Sequence, residues 1–560
     1  MAGNFDNIWK LTRSVFRREW RISLVWLAVL VVVIVGLVPG MMAIMDEDGI
    51  AELAAMVENP ALVAMMGPAF AAETPGFGAV YTTMMLLFSA ISVAIMNIFL
   101  ITRHTRADEE LGRYEVLRSL PLGRLSNLAA AFICAIAVNA AIAAFVGIGM
   151  FALGDVSMSF GGSMLWGAAL GAAGLIFAGF AAIFCQLSAS SRGAASYSFL
   201  TLIIFYFLRA AGDINSDMEI ISWISPLGLI NRTAPYAGDR WWPIFAGLGI
   251  AAIAAIIAFW LNSIRDIDQG LIPARPGREA GGRLLRSPLG LAFRLLRVSL
   301  IGALVGMFVL GASYAVVLDG IDDFLAHNQF YQDLIFVPAG IDFQIMEGMS
   351  TQEIVALMNS VVAAAGFTTA DLFASMINNL MAMVALIAPI SFILRARAEE
   401  KAGRAELILS TPTCKIRYLG GFAAIAFISA AILQILLALG LYVTARAMPY
   451  VPQMSLGFLL QAAMVYIPAI WAIIGIAIFI LGAAPRAAAA IWGFFGYTLL
   501  ITFIGRMGIL PAWLPNTTPM GFVPQLPIDQ LTPAPLILLT LFAAALTAAG
   551  LALYRRRDLA

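Results

Sequence analysis

Twelve apolar runs punctuate the chain, at residues 22–44, 77–101, 125–150, 163–186, 194–208, 241–261, 298–318, 372–394, 419–443, 456–481, 487–504 and 536–554. A hydrocarbon layer about 30 Å thick takes about 20 helical residues to cross, so every run but the fifth is of spanning length. Backbone groups in lipid must be satisfied within their own segment, which leaves helices as the natural solution for runs this long. With 61% hydrophobic and 12% charged residues, against about a quarter charged in soluble domains, the sequence specifies an all-α, polytopic membrane protein of about twelve transmembrane helices.

The charges orient these helices. If the N-terminus is cytoplasmic, the alternating inside segments hold 28 of the 33 Lys and Arg residues, as the positive-inside rule requires. The outside segments 45–76 and 319–371 are acidic and hold none. Both termini are therefore expected in the cytoplasm, in a bacterial plasma membrane. Residues 4–21 place Phe5, Ile8, Trp9, Phe16 and Trp20 against Lys10, Arg13, Arg17 and Arg21, the pattern of a helix lying on the membrane surface. The first apolar run is too long for a cleaved signal and is expected to stay in the bilayer.

The chain is also duplicated. Residues 106–124, RADEELGRYEVLRSLPLGR, return as residues 397–415, RAEEKAGRAELILSTPTCK, keeping Arg106/Arg397, Glu109/Glu400, Gly112/Gly403, Arg113/Arg404, Glu115/Glu406 and Pro121/Pro412. Ser225-Pro226-Leu227-Gly228 returns as Thr518-Pro519-Met520-Gly521, and Arg192-Gly193-Ala194-Ala195 as Arg486-Ala487-Ala488-Ala489, at nearly the same offset. The domains follow: an N-terminal six-span half over 1–261, a Pro/Gly-rich basic linker over 262–287, and a C-terminal six-span half over 288–560 with a larger outer segment. An even number of spans separates the copies, so the halves are expected parallel, about a pseudo-twofold axis along the membrane normal.

Each motif copy joins the second and third spans of its half. From Arg106 to Leu120 only Gly112 interrupts a helical pattern before Pro121 stops it, so one polar helix of roughly 20 Å is expected. Within it Glu109–Arg113 and Glu400–Arg404 are i,i+4 pairs, worth a few tenths of a kcal/mol at a surface. Glu406 faces Leu409 and Ser410 at helical spacing, so the carboxylate that both copies keep at this position points to an external partner. Gly112 and Gly403 cost a helix about 1 kcal/mol each and fit a close backbone approach. A plain topogenic charged loop is the competing reading. The chain has no Gly-Lys-Ser/Thr phosphate loop, so any nucleotide chemistry belongs to another subunit.

These residues carry a resemblance. The pattern E-E-x-G-R-x-E-x-x-x-S-x-P between second and third spans resembles the coupling-helix segment of type-2 ABC exporter permeases, particularly the fused twelve-span forms that export polyketide antibiotics and other drugs. The resemblance implies that Glu109, Gly112, Arg113 and Glu115, with Glu400, Gly403, Arg404 and Glu406, dock onto two copies of a separate ABC ATPase. ATP and Mg would sit on those ATPase subunits, with no cofactor in this chain. Glu110 against Lys401 and Arg118 against Leu409 make the two sites unequal.

Cargo leaves fewer marks. Asn97, Asn139, Asn378, Asn379 and Gln434 lie inside apolar runs, either lining a path or bonding helix to helix. No charge sits mid-span, which favours a hydrophobic or amphipathic cargo, together with membrane lipid, over ion coupling. An ion-coupled secondary transporter and a non-transporting scaffold remain the alternatives. Pro389 and Pro468 are expected to kink their helices. Cys134, Cys185 and Cys414 show no metal-ligand spacing, His104 and His327 fall on opposite sides, and nothing indicates nucleic-acid binding or catalysis.

Overall fold

The computed structural model describes residues 4–42, 47–57, 60–68, 70, 76–119, 121–214, 218–266, 269–273, 282–317, 360, 368–448, 454–505, 511, 513–526 and 529–557. Every regular element among these is helical. The chain divides into two compact units, Met1–Gly277 and Arg278–Ala560.

In the first unit the helices are α1 (Ile8–Ile34), α2 (Phe77–His104), α3 (Arg106–Glu110), α4 (Arg113–Arg118), α5 (Ser126–Ala152), α6 (Phe160–Leu187), α7 (Ser191–Ile214) and α8 (Trp242–Ile264). Helix α6 touches α2, α5, α7 and α8. Its run of small and apolar residues, with Leu165, Trp166, Ala169, Leu170 and Phe177 fully buried, lets four neighbours approach at once. The second unit holds α9 (Pro288–Val317), α10 (Thr369–Lys401), α11 (Arg404–Leu409), α12 (Lys415–Ala447), α13 (Leu456–Met464), α14 (Ile467–Ala483), α15 (Ala490–Gly505) and α16 (Pro533–Arg556). There α14 packs against α10, α12 and α16.

Among the described residues eleven helices are long and apolar enough to cross a membrane, one fewer than the twelve runs. The run at 487–504 becomes α15, of 16 residues. The fifth run, short in the sequence, becomes the 24-residue α7. It continues past its apolar stretch because the charges there are met. Buried Arg209 donates through Nη1 to Asp213 at 3.3 Å and to the Val63 carbonyl at 3.2 Å, and Asp213 also accepts from Arg232 at 3.1 Å. These are the buried charges that reading 194–208 as the span left out.

The surface helix expected over 4–21 is not separate: α1 runs from Ile8 through the first apolar run without a break. Ser287 caps α9 as expected, its Oγ accepting from the Gly290 amide at 3.1 Å. Thr368 and Asp371 open α10 with a reciprocal capping box. Helix α10 passes through Pro389 unbroken, whereas Pro468, in the first turn of α14, accompanies a break from α13. In the segment 45–76 two short helices stand, Glu47–Met56 and Pro60–Met66. The apolar stretches 336–345 and 354–367 of the outer segment lie outside the described residues, apart from Ser360.

The Ser/Thr-Pro-x-Gly echo has a shared geometry. Pro226–Asn231 is a buried helix whose entry is fixed by Ser225 Oγ donating to the Phe205 carbonyl at 2.7 Å. A Cβ on Gly228 would lie 2.1 Å from the Ser222 carbonyl oxygen, and one on Gly521 2.1 Å from that of Pro515, six residues back in each case. Only glycine fits that turn.

Candidate functional site

The duplicated motif does not form one helix in either unit. Residue Gly112 has φ +69° and Gly403 φ +71°, a left-handed conformation that costs other residues about 1–2 kcal/mol. In the first unit the break separates α3 from α4. In the second, α10 runs on into the motif to Lys401 and α11 follows the break. Nothing lies within 4 Å of where a Cβ would be at either glycine, so they serve a turn rather than a close contact inside the chain. The Gly403→Ala variant is therefore expected to lose about 1 kcal/mol of stability, while Gly403→Asn, which tolerates positive φ, keeps most of it. Thermal unfolding in detergent measures both, and an unshifted Gly403→Ala midpoint would count against the strained turn.

The turn redirects the charges. The expected i,i+4 pairs Glu109–Arg113 and Glu400–Arg404 are absent. Arg113 instead reaches back across the turn to Asp108 at 3.0 Å, and Arg404 to Glu399 at 2.5 Å. Asp108 also accepts from Arg18 of α1 at 2.9 Å, and Glu399 pairs with Arg395.

Glu109 and Glu400 turn inward, 7% and 9% exposed. Glu109 is held by Arg106 at 2.7 Å and, in a two-pronged pairing, by Arg265 at 2.6 and 2.8 Å. Glu400 is held by Arg397 at 3.1 Å, by Arg557 at 2.5 Å and by the Tyr554 hydroxyl. Arg265 and Arg557 are the residues that follow α8 and α16, the last helix of each unit. At the far end of the motif Arg124 donates to the Arg265 carbonyl at 2.6 Å, and its counterpart Lys415 to the Arg557 carbonyl at 2.5 Å.

What remains outside is a short arm in each unit. Glu115 and Glu406 are exposed on α4 and α11, beside Arg113 and Arg404, with Leu111 64% and Leu407 74% exposed. In each arm one exposed leucine stands amid charges, a small apolar spot with a polar rim. The arms differ as the sequence implies: the Glu110 carboxylate accepts from the Ser191 amide at 3.0 Å, whereas Lys401 is exposed.

The in-span amides separate into two groups. Asn97 and Asn139 bond each other reciprocally at 3.1 and 2.7 Å between α2 and α5, each also donating to a carbonyl four residues back. That is a helix-to-helix lock. Asn378, Asn379 and Gln434 are buried in the second unit, and neither amide atom of Gln434 has a hydrogen-bond partner among the described residues. Between α1 and α5 lies a largely apolar cavity of about 210 Å³, lined by Phe16, Trp20, Leu24, Leu27 and Val138. Glu19, also in its wall, is neutralised by Arg103 at 2.8 Å and faces His104 Nε2 at 2.7 Å.

A bundle of apolar spanning helices whose two units repeat one polar connection has the build of a membrane permease. One family model, "Multidrug efflux system permease Rv1217c, C-terminal domain", matches at residues 50–261, 285–367 and 343–555, and so falls on both units. The multidrug efflux system permease protein Rv1217c of Mycobacterium tuberculosis (strain ATCC 25618 / H37Rv) is 32% identical over 516 residues, covering 91% of this chain and 86% of that protein. The chain belongs to this family of efflux permeases.

Arg265 and Arg557 belong to no motif in the sequence. Their signal is positional, since each is a basic residue three or four positions past the last apolar run of its half, at an offset matching the other echoes.

Proposed function

We propose that this chain is the transmembrane subunit of an ATP-driven exporter of hydrophobic or amphipathic compounds, assembled with two copies of a separate ABC ATPase that bring ATP and Mg. The observation that carries the reading is the pair of arms: one motif, folded twice with the same glycine turn and the same internal ion pairs, presenting Glu115 and Glu406 outward. Arg113 and Arg404 flank them, and Gly112 and Gly403 aim them. In this reading the arms, the linker and both termini face the cytoplasm, in keeping with their Lys and Arg content.

The burial of charge supports ATP over ion coupling. An ion-coupled carrier needs an acid free to load a cation. Glu19 and Asp213, buried in α1 and α7, are each held by two basic side chains.

Co-purification with the candidate ATPase, followed by ATP hydrolysis in lipid nanodiscs, tests the proposal. A complex holding two ATPase copies per chain, with hydrolysis stimulated by an amphipathic dye such as ethidium, is the expected result. A folded permease that binds no ATPase and moves dye only down an ion gradient sinks it.

A further inference from the structure

We infer that Arg265 and Arg557, with Arg124 and Lys415, are positioning residues that seat both feet of each arm on the end of the last helix in its unit, so that arm and helix move as one body. The inference rests on the exporter reading for what pushes the arm, but the geometry stands by itself. In the first unit the foot before the arm, Glu109, is bound by the Arg265 side chain, and the foot after it, Arg124, by the Arg265 carbonyl. In the second unit Glu400 and Lys415 meet Arg557 in the same two ways. Two contacts thus repeat across a duplication whose sequence differs at one of them, Arg124 against Lys415, while the contact is kept.

The physics favours a stiff joint. The paired side chains are mostly out of solvent, at 5% and 6% exposure for Arg265 and Glu109 and 16% and 3% for Arg557 and Glu400, and buried opposite charges resist separation far more than surface pairs do. A cation on a carbonyl past the last turn also matches the negative end of the helix. The flexible point, Gly112 or Gly403, lies within the arm, between its two feet. A push on the arm therefore passes through both feet into the C-terminal end of α8 or α16. Further bonds spread the first joint: Arg106 donates to the Ala189 carbonyl at 2.8 Å and Arg265 to that of Gln269 at 2.8 Å.

Two measurements test this. On the permease alone, spin labels at exposed Leu111 and Ile264, in a variant lacking the three native cysteines, report the spacing of arm and helix. The distribution is expected to be narrow and to broaden clearly in Arg265→Gln; equal widths overturn the joint. In the complex, ethidium moved per ATP is expected to fall about tenfold, within the usual span of coupling energies, in Arg265→Gln/Arg557→Gln, with ATP hydrolysis largely kept. The Arg265→Lys/Arg557→Lys variant, which keeps the charges, is expected to recover most of the ratio. An unchanged ratio in an active double variant overturns the inference, and so does a parallel fall of hydrolysis and transport. If the unaltered complex shows no ATP-driven transport, the exporter reading fails, and the spin-label result still decides the joint.

Discussion

Glu109→Ala is expected to be the most damaging single substitution in the motif, removing about 3–5 kcal/mol of stability, because it leaves two buried guanidinium groups, Arg106 and Arg265, without their shared counter-charge. Alanine deletes the carboxylate and keeps the desolvation of both cations. The Glu400→Ala loss is expected to be smaller, since Arg397 and Arg557 are 23% and 16% exposed and reach water more easily. Glu109→Gln falls between, retaining hydrogen-bond acceptance without charge. The yield of monodisperse protein and its thermal midpoint in detergent rank the variants. Equal midpoints for Glu109→Ala and the unaltered protein would show that the pairings are not held in solution. Because the cluster is buried, added salt should shift these differences little.

That ranking separates two roles the sequence merges. Glu109 and Glu115 stand six residues apart in one polar motif, and nothing in their order says which faces in. The direction is set by Arg265, 156 residues further on, and for Glu400 by Arg557, 157 residues on, and pairing at that range leaves no local pattern. The glycine turn is half-legible: Gly112 and Gly403 are unfavourable in a helix interior, but whether such a residue admits a neighbour or reverses the backbone is settled only by φ. The spanning helices and the duplication are legible because hydrophobic length and repeated punctuation are properties of the order itself. Helix α7 shows where hydrophobicity stops being a guide. Arg209 ends the apolar run, yet the helix continues to Ile214 because carbonyls of Val63 and Ala64, together with Asp213, take up the charge. The amides show the same limit. Asn97 and Asn139 read alike as path or lock, and only the structure shows the reciprocal bonds that join α2 to α5.

For the double variant Glu115→Ala/Glu406→Ala, ATP-driven transport is expected to drop at least about tenfold, equivalent to about 1.4 kcal/mol of lost interaction, with yield and thermal midpoint unchanged. Both carboxylates are exposed, and Glu406 makes no ion pair among the described residues, so their removal leaves no buried charge behind and should cost the fold within about 0.5 kcal/mol. A carboxylate that both copies present outward gains its interaction energy from a cationic partner, which on this reading is the ATPase surface. Charge reversal sharpens the test: Glu115→Lys/Glu406→Lys sets like charges face to face and is expected to block assembly, whereas alanine only weakens it. The single variants should differ, because Leu111 in the first arm is matched by Ala402 in the second and Glu110 by exposed Lys401. The second arm, with more positive charge at its turn, depends more on Glu406 to keep an acidic face, so Glu406→Ala is expected to be the more harmful. Full assembly and transport in the alanine double variant would remove both residues from the docking surface, and would leave the exposed leucines as the contact that the arms offer.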